Sequence, residues 1–242
     1  MSWVETAKRA AIIRALEEIR DAHVIGIGSG TTLELLVGEL AKTVKRGRGL
    51  ELKLVATSHQ IESAIIRAGL TAVDPNDVPE IDLALDGADQ VESQTLNLIK
   101  GGGAALTREK IIDTAAKKLV VVVDERKLTQ TLGKGQVVPV EVIPFAHRLV
   151  MSRLAGLGGK PRLRCGKDAS PVGTDNGNFV VDVDFGPIRD APALDREMRS
   201  IPGLLETGLF LGLTDRVYVG LEDGTVQVLQ ARRLAHRPPE TA

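Results

Sequence analysis

From residue 23 to about residue 130 the chain alternates short apolar runs with segments of helical periodicity, and no other feature constrains its fold as strongly. HVIGIG, LELKLVA, EIDLALD and LVVVVD read as strands. The segment from about Thr32 to Val44, the segment SHQIESAIIRAG with Gly69 as a C-cap, and the stretch after KGGG read as helices. LVVVVD is a continuous β-branched run, as expected of a strand covered on both faces. Strands that alternate with helices in this way imply a parallel, doubly wound α/β sheet with helices on both sides. Such sheets bind ligands beyond the carboxyl ends of their strands. GIGSGTT (Gly26 to Thr32), DGAD (Asp86 to Asp89) and DERK (Asp124 to Lys127) each follow a strand. Three segments far apart in the chain are therefore expected to meet on one rim.

The remainder has a different texture. Before the first strand, Val4, Ala7, Ala11, Ile12, Ala15, Leu16 and Ile19 recur at helical spacing. KRGRG reads as a turn. After Lys127, PVEVIP, PRLRC and NFVVDVDF read as short strands, with FAHRLVMSRLAG and DREMRS helical or turn-like between them. These predict a smaller α+β domain over residues 133–206, with 1–132 and 207–242 forming the larger domain. GLFLG, DRVYVG and TVQVLQ are expected to return to the main sheet, and the HRPPETA tail to fray.

Composition removes several function classes. With 31 Lys+Arg against 32 Asp+Glu, the net charge of −1 gives no bulk attraction for nucleic acid. Aromatics at 2% leave few stacking platforms for single strands. No segment reaches the roughly 18 apolar residues of a membrane span. The single cysteine, Cys165, cannot form an intrachain disulfide, which fits a cytoplasmic protein. His23, His59, His147 and His236 are scattered and no pair has metal-ligand spacing, so no metal is expected.

KGGGAALTREK, from Lys100 to Lys110, carries the most chemistry. Gly101, Gly102 and Gly103 allow a backbone to approach a ligand closely. Lys100 can hold an oxyanion and Glu109 can move a proton, although TREK in isolation also reads as a solvated helical turn. DGAD adds Asp86 and Asp89; a turn accounts for one Asp and the glycine but does not require both carboxylates. GIGSGTT fails as a dinucleotide fingerprint because Thr31 stands where a third glycine belongs, and as a Walker loop because no lysine follows. Ser29, Gly30, Thr31 and Thr32 at a helix start instead suit a phosphate monoester, with the helix dipole adding ~0.3–1 kcal/mol. The residues alone point to acid–base chemistry on a small phosphorylated molecule, using carboxylates and a lysine.

Taken together, GIGSGTT, DGAD, KGGGAALTREK, VDERK, VEVIP, TDNGN (Thr174 to Asn178) and IPGLLETGLF (Ile201 to Phe210) closely resemble ribose-5-phosphate isomerase of the A type. The matching blocks span about residues 24–220. Gln90 departs from the pattern, standing where the family usually has Glu after DGAD. The resemblance implies a Rossmann-like α/β domain with a smaller α+β lid, a homodimer or homotetramer, and no cofactor. It implies interconversion of ribose 5-phosphate and ribulose 5-phosphate in the pentose phosphate pathway. It makes Glu109 the base and places Asp86, Gly87, Ala88, Asp89, Lys100, Gly101 to Gly103, Ser29 to Thr32 and Lys127 on the substrate. Either Asp86 or Asp89 would assist ring opening. Two other readings compete: a non-catalytic sugar-phosphate sensor, and an acyl-CoA transferase with a glutamate nucleophile. A DNA-binding form of the sensor is disfavoured, because only about 22 residues precede the first strand.

Overall fold

The N-terminal helix α1 (Trp3–Ala15) begins at a capping box, in which the Ser2 hydroxyl accepts from the Glu5 N–H and the Glu5 carboxylate accepts from the Ser2 N–H. Its buried stripe is made of Ala7, Ala11, Ile12 and Ala15. Three of these are small, so the helix lies close on the sheet: a Cβ at Gly220 would fall 2.0 Å from the Ala7 carbonyl oxygen. The structure is a computed structural model that describes residues 2–45 and 52–231. The expected KRGRG turn beyond Lys45 and the HRPPETA tail lie outside the described residues.

The first half alternates as the periodicity requires: β1 (Val24–Ile27), α2 (Thr31–Lys45), β2 (Lys53–Ala56), α3 (His59–Arg67), β3 (Thr71–Ala72) and β4 (Leu83–Asp86). β5 (Gln90–Glu92) and β6 (Leu98–Ile99) then precede α4 (Leu106–Ala115), β7 (Leu119–Asp124) and β8 (Leu128–Thr129). The middle of the chain holds β9 (Val138–Val142), α5 (His147–Gly156), β10 (Lys160–Leu163), β11 (Phe179–Asp184), α6 (Ala191–Arg199) and β12 (Leu204–Thr207). β13 (Leu209–Phe210), β14 (Arg216–Gly220) and β15 (Val226–Gln230) complete it.

The main sheet has seven strands in the order β15-β14-β7-β4-β1-β2-β3. All neighbours are parallel except the edge pair β14 and β15. Successive strands leave β1 in opposite directions, so a topological switch point lies between β1 and β4. Residues alternate between the two faces along each strand. On one face Ile25, Ile27, Leu83, Leu85, Val120 and Val122 pack with Ile12 of α1, Leu36 and Leu40 of α2 and Ile61 of α3. On the other, Ala84, Val121, Val123 and Val217 pack with Leu106 and Ile112 of α4. Gly26 lies directly beneath α4, where a Cβ would meet Ile112 Cγ2 at 2.3 Å. That contact sets Glu109, one turn earlier on the helix, over the carboxyl end of β1.

A second, antiparallel sheet in the order β10-β11-β9-β12 has its own apolar core with Val150 and Leu154 of α5 and Met198 of α6. DRVYVG and TVQVLQ do join the main sheet, but GLFLG does not. Its β13 pairs with β6 in a small third sheet, in the order β13-β6-β5-β8. Strands of two or three residues carry too little alternation to be read from sequence. Gly208 makes this crossing close: its carbonyl accepts from the Lys100 N–H at 2.9 Å, and its own N–H donates to the Pro139 carbonyl at 2.7 Å. The bond from Gly208 thus fixes the backbone of Lys100 just beyond β6.

Gln90, the departure from the family pattern, is 8% exposed and ties β5 to the segment that enters the second sheet. Its Nε2 donates to the Lys134 carbonyl at 3.0 Å and its Oε1 accepts from the Gly133 N–H at 2.8 Å. An amide can do both at once, whereas an ionised carboxylate can only accept. Gln90→Met leaves both backbone groups without their partner and should cost about 1–3 kcal/mol, a fall in Tm of about 2–12 °C. Thermal unfolding of the variant beside the parent measures this, and an unchanged Tm would show that the tie contributes nothing.

Candidate active site

The rim at the carboxyl ends of β1, β4 and β7 surrounds a cavity of about 160 Å³. Its wall includes Ser29 to Thr32, Gly87 to Asp89, Lys100 to Gly103, Glu109 and Lys127, brought together from four separate loops and one helix. Asp86 is not among them. It is fully buried and lies behind the wall, against Lys100. Lys8 of α1 also reaches the cavity, and nothing in its sequence neighbourhood distinguishes it from other polar residues of that helix. Cys165 is exposed and lies outside the cavity wall. Among the described residues no group of three His, Cys, Asp or Glu side chains could hold a metal, and no helix is long and apolar enough to cross a membrane.

The centre of the site is a buried cluster of charges. Lys100 is 3% exposed, and its Nζ lies 2.8 Å from Asp86 Oδ1 while donating to the Gly87 carbonyl at 2.7 Å. Phe210 of β13 places its ring 5.4 Å from the same nitrogen. Asp86 Oδ1 also accepts the Gly87 N–H at 2.6 Å. Only glycine fits at position 28, because a Cβ there would come 1.8 Å from that oxygen. Burial opposes the charge on Lys100, but Asp86, Glu109 and Asp113 outweigh it and hold the ammonium above its ordinary range.

Glu109 is 4% exposed. Its Oε1 accepts the Ser29 N–H at 3.2 Å. Its Oε2 stands 3.4 Å from Lys100 Nζ, a charge contact rather than a formed hydrogen bond, and has no hydrogen-bond partner. Burial pushes the Glu109 carboxyl up to about 7; Lys100 opposes that rise and Asp86 adds to it. The result is a carboxylate with one oxygen anchored and the other uncommitted, in a range where it can take up and release a proton near neutrality.

The glycine loop is held from two sides. Gly102 N–H donates to Asp89 Oδ2 at 2.7 Å, and a Cβ at 102 would crowd Asp89 Oδ1 at 2.6 Å. Opposite, Arg164, just after β10, donates to the Gly101 and Gly102 carbonyls at 2.9 and 3.0 Å, and Asp182 steadies its guanidinium. The first turn of α4 is gripped as well. Glu141 of β9 is fully buried and accepts from the hydroxyls of Thr107 and Thr174 and from the side-chain amides of Asn176 and Asn178. TDNGN thereby clamps the helix that carries Glu109, and Arg108 adds bonds to Asp175 and Asn176. Arg164 and Glu141 escaped sequence reasoning because neither lies near the glycine loop in the chain.

The far end of the cavity suits an anion. Gly30 has φ +105° and its carbonyl accepts from Leu33 and Glu34, so the N–H groups of Thr31 and Thr32 precede the first intrahelical bonds of α2. Lys8 and Lys127 add positive charge to the cavity wall. The Ser29 hydroxyl is instead engaged by Thr57 Oγ1 at 2.9 Å and Ser58 Oγ at 2.8 Å. The Ser29 backbone N–H is bound to Glu109 Oε1.

Comparison with known proteins gives a consistent result. A family model described as Ribose 5-phosphate isomerase A (phosphoriboisomerase A) matches residues 53–224. The chain is 45% identical to Ribose-5-phosphate isomerase A of Methanosarcina acetivorans over 93% of this chain and 95% of the relative. It is 43% identical to the protein of that name from Thermomicrobium roseum, with 95% of each covered. Among solved structures, a D-ribose-5-phosphate isomerase in complex with phospho-erythronic acid superposes with a TM-score of 0.90 at 41% identity, covering 94% of this chain and 99% of that one. Ribose 5-phosphate isomerase A from Methanocaldococcus jannaschii superposes at 0.88 and 40% identity, covering 93% of this chain and 99% of that one.

The Glu109 environment makes stability depend on pH. The unfolded chain releases this proton near the ordinary value of 4.5, whereas the folded protein keeps it to about 7. The native state binds more protons in that interval, so its stability falls as pH rises through it. Glu109→Gln cannot ionise and escapes the loss. The Tm of Glu109→Gln minus that of the parent should therefore grow between about pH 5 and pH 8; a difference independent of pH would contradict the burial argument.

Proposed function

The chain belongs to the ribose 5-phosphate isomerase A family and is an aldose–ketose isomerase of ribose 5-phosphate and ribulose 5-phosphate, and we propose that Glu109 is the base that moves the proton. The observation that carries this assignment is the uncommitted Oε2 of Glu109, buried in the cavity wall 3.4 Å from the Lys100 ammonium.

The reaction transfers a proton between adjacent carbons. Glu109 removes it from C2 of the open aldose, and negative charge develops on the C1 carbonyl oxygen. The hydroxyl proton on O2 passes to O1, and returning the carbon-bound proton to C1 from the same face gives the ketose. A lysine has three donors, and Asp86 and the Gly87 carbonyl occupy two of those of Lys100. The third is available to the enediolate oxygen, where one such donor is worth about 2.7–4 kcal/mol. The cyclic substrate must first open, and Asp89 is the better placed of the two aspartates for that proton transfer. It lines the cavity, while Asp86 is held behind Lys100. Asp86 then has the role of fixing the lysine.

The phosphate is assigned to the N–H groups and hydroxyls of Thr31 and Thr32, with Lys8 and Lys127 beside them. Held there, it contributes orientation without reacting. A relative in complex with phospho-erythronic acid supports a phosphorylated ligand in this cavity, whose wall carries Lys8, Lys100 and Lys127. Residues 133–206 are proposed as the smaller domain, which acts on the site through Arg164 and TDNGN. A homodimer or homotetramer is inferred from the family resemblance, supported by the exposed apolar residues Phe145 and Leu149 at the end of the second sheet. A metabolic enzyme with one free cysteine is assigned to the cytoplasm.

Glu109→Gln should lower kcat by at least ~100-fold with the fold intact. Near-normal turnover would reject Glu109 as the base. In the parent, kcat/KM should fall as pH drops below about 7, the pH at which Glu109 takes up its proton. Thr31→Ala should raise KM more for ribose 5-phosphate than it weakens turnover of unphosphorylated ribose; equal losses on both substrates would move the phosphate elsewhere.

A further inference from the structure

The chemistry above leaves one buried acid unused. Asp113 lies four residues beyond Glu109 on α4, on the same face, and is 2% exposed. Three charged groups face it: Asp86 from the end of β4, Lys100 from the loop after β6, and Glu109 from its own helix. The cluster thus holds three carboxyl groups around one ammonium. Lys100 contacts two of them, Asp86 Oδ1 at 2.8 Å and Glu109 Oε2 at 3.4 Å.

Two oxygens of this cluster remain unexplained. Asp113 Oδ2 and Asp86 Oδ2 are both buried without a hydrogen-bond partner. The two carboxyl groups nevertheless lie within hydrogen-bonding reach of each other. Two ionised carboxylates cannot bond, since neither has a donor, and two buried like charges in contact are strongly disfavoured. A single proton on the pair removes both difficulties, giving one acid that donates and one anion that accepts. The donor of the pair is Asp113, because Asp86 Oδ1 is already occupied by the Lys100 ammonium and the Gly87 N–H.

We propose that Asp113 is a positioning residue, a neutral buried acid whose O–H donates to Asp86 Oδ2 and fixes the Asp86 carboxylate with Oδ1 turned to Lys100. The ammonium then answers one committed anion, Asp86, and one working anion, Glu109. Burial and the neighbouring Asp86 act in the same direction, holding the Asp113 proton well above the ordinary carboxyl range. The effect of Asp113 on turnover rests on the isomerase reading, but its protonation does not.

Infrared spectroscopy of the full chain labelled with carboxyl-13C aspartate tests the protonation directly. At about pH 8.5 ordinary aspartates are ionised, so the isotope-shifted band of a protonated aspartate should be present in the parent and absent from Asp113→Asn. No such band in the parent overturns the proposal, whether or not any variant folds. Kinetics test the positioning. An asparagine amide can still donate to Asp86, so Asp113→Asn should keep kcat within about threefold of the parent, while Asp113→Ala should lose about 10-fold or more in kcat with little change in KM. Asp113→Ala with parental kcat, or Asp113→Asn as impaired as Asp113→Ala, would overturn the donated bond. Failure of the parent itself to isomerise ribose 5-phosphate would instead reject the functional reading and leave the infrared result standing.

Discussion

The site depends on a lysine kept charged where there is almost no water. Removing Lys100 from solvent disfavours its ammonium, and only the surrounding carboxyl groups restore it. Breaking such a pair by deleting one partner typically costs about 3–5 kcal/mol, because the remaining charge is left buried alone. Asp86 is therefore a structural requirement of the cluster. Its own position depends on the missing side chain of Gly28 and on the N–H of Gly87, both at the carboxyl ends of adjacent parallel strands. Sheet, glycine turn and charge cluster form a single construction in which none of the parts can be moved independently.

Hydrogen bonding separates two buried glutamates, Glu141 and Glu109. Glu141 is fully buried but accepts four hydrogen bonds from TDNGN and Thr107, so its carboxylate is saturated and serves as an anchor. Glu109 is nearly as buried but has one oxygen left without a partner, and burial pushes its proton affinity toward neutrality. Burial alone does not suit a carboxylate to proton transfer; burial combined with incomplete hydrogen bonding and a nearby cation that limits the shift does.

The second sheet contributes to the site without lining most of it. Arg164 fixes the carbonyls of the glycine loop, Glu141 fixes the start of α4, and Asp175 accepts the His59 N–H at the start of α3. Three glycines in a row would otherwise be free to sample many conformations. Contacts from a separate element supply the rigidity that the loop cannot supply for itself, which is the arrangement expected where reacting groups must be held to fractions of an ångström.

The alternation of apolar runs with helical periodicity settled the parallel sheet, because buried strands and amphipathic helices leave different spacings in the chain. It also settled which loops share a rim, since parallel strands all end on the same side. KGGGAALTREK and DGAD carried their residue types openly, and the resemblance they support named the reaction. Only the tertiary structure separated Asp86 from Asp89, putting one behind the cavity wall and the other in it. It likewise engaged the Ser29 hydroxyl with Thr57 and Ser58, brought in Lys8 and Arg164, moved β13 out of the main sheet and exposed the unanswered oxygens of Asp86 and Asp113. The physical reason is the range of the signals. Periodicity and turn chemistry are local and survive in one dimension, whereas burial, proton affinity and the partner of a side chain depend on what the folded chain places beside it.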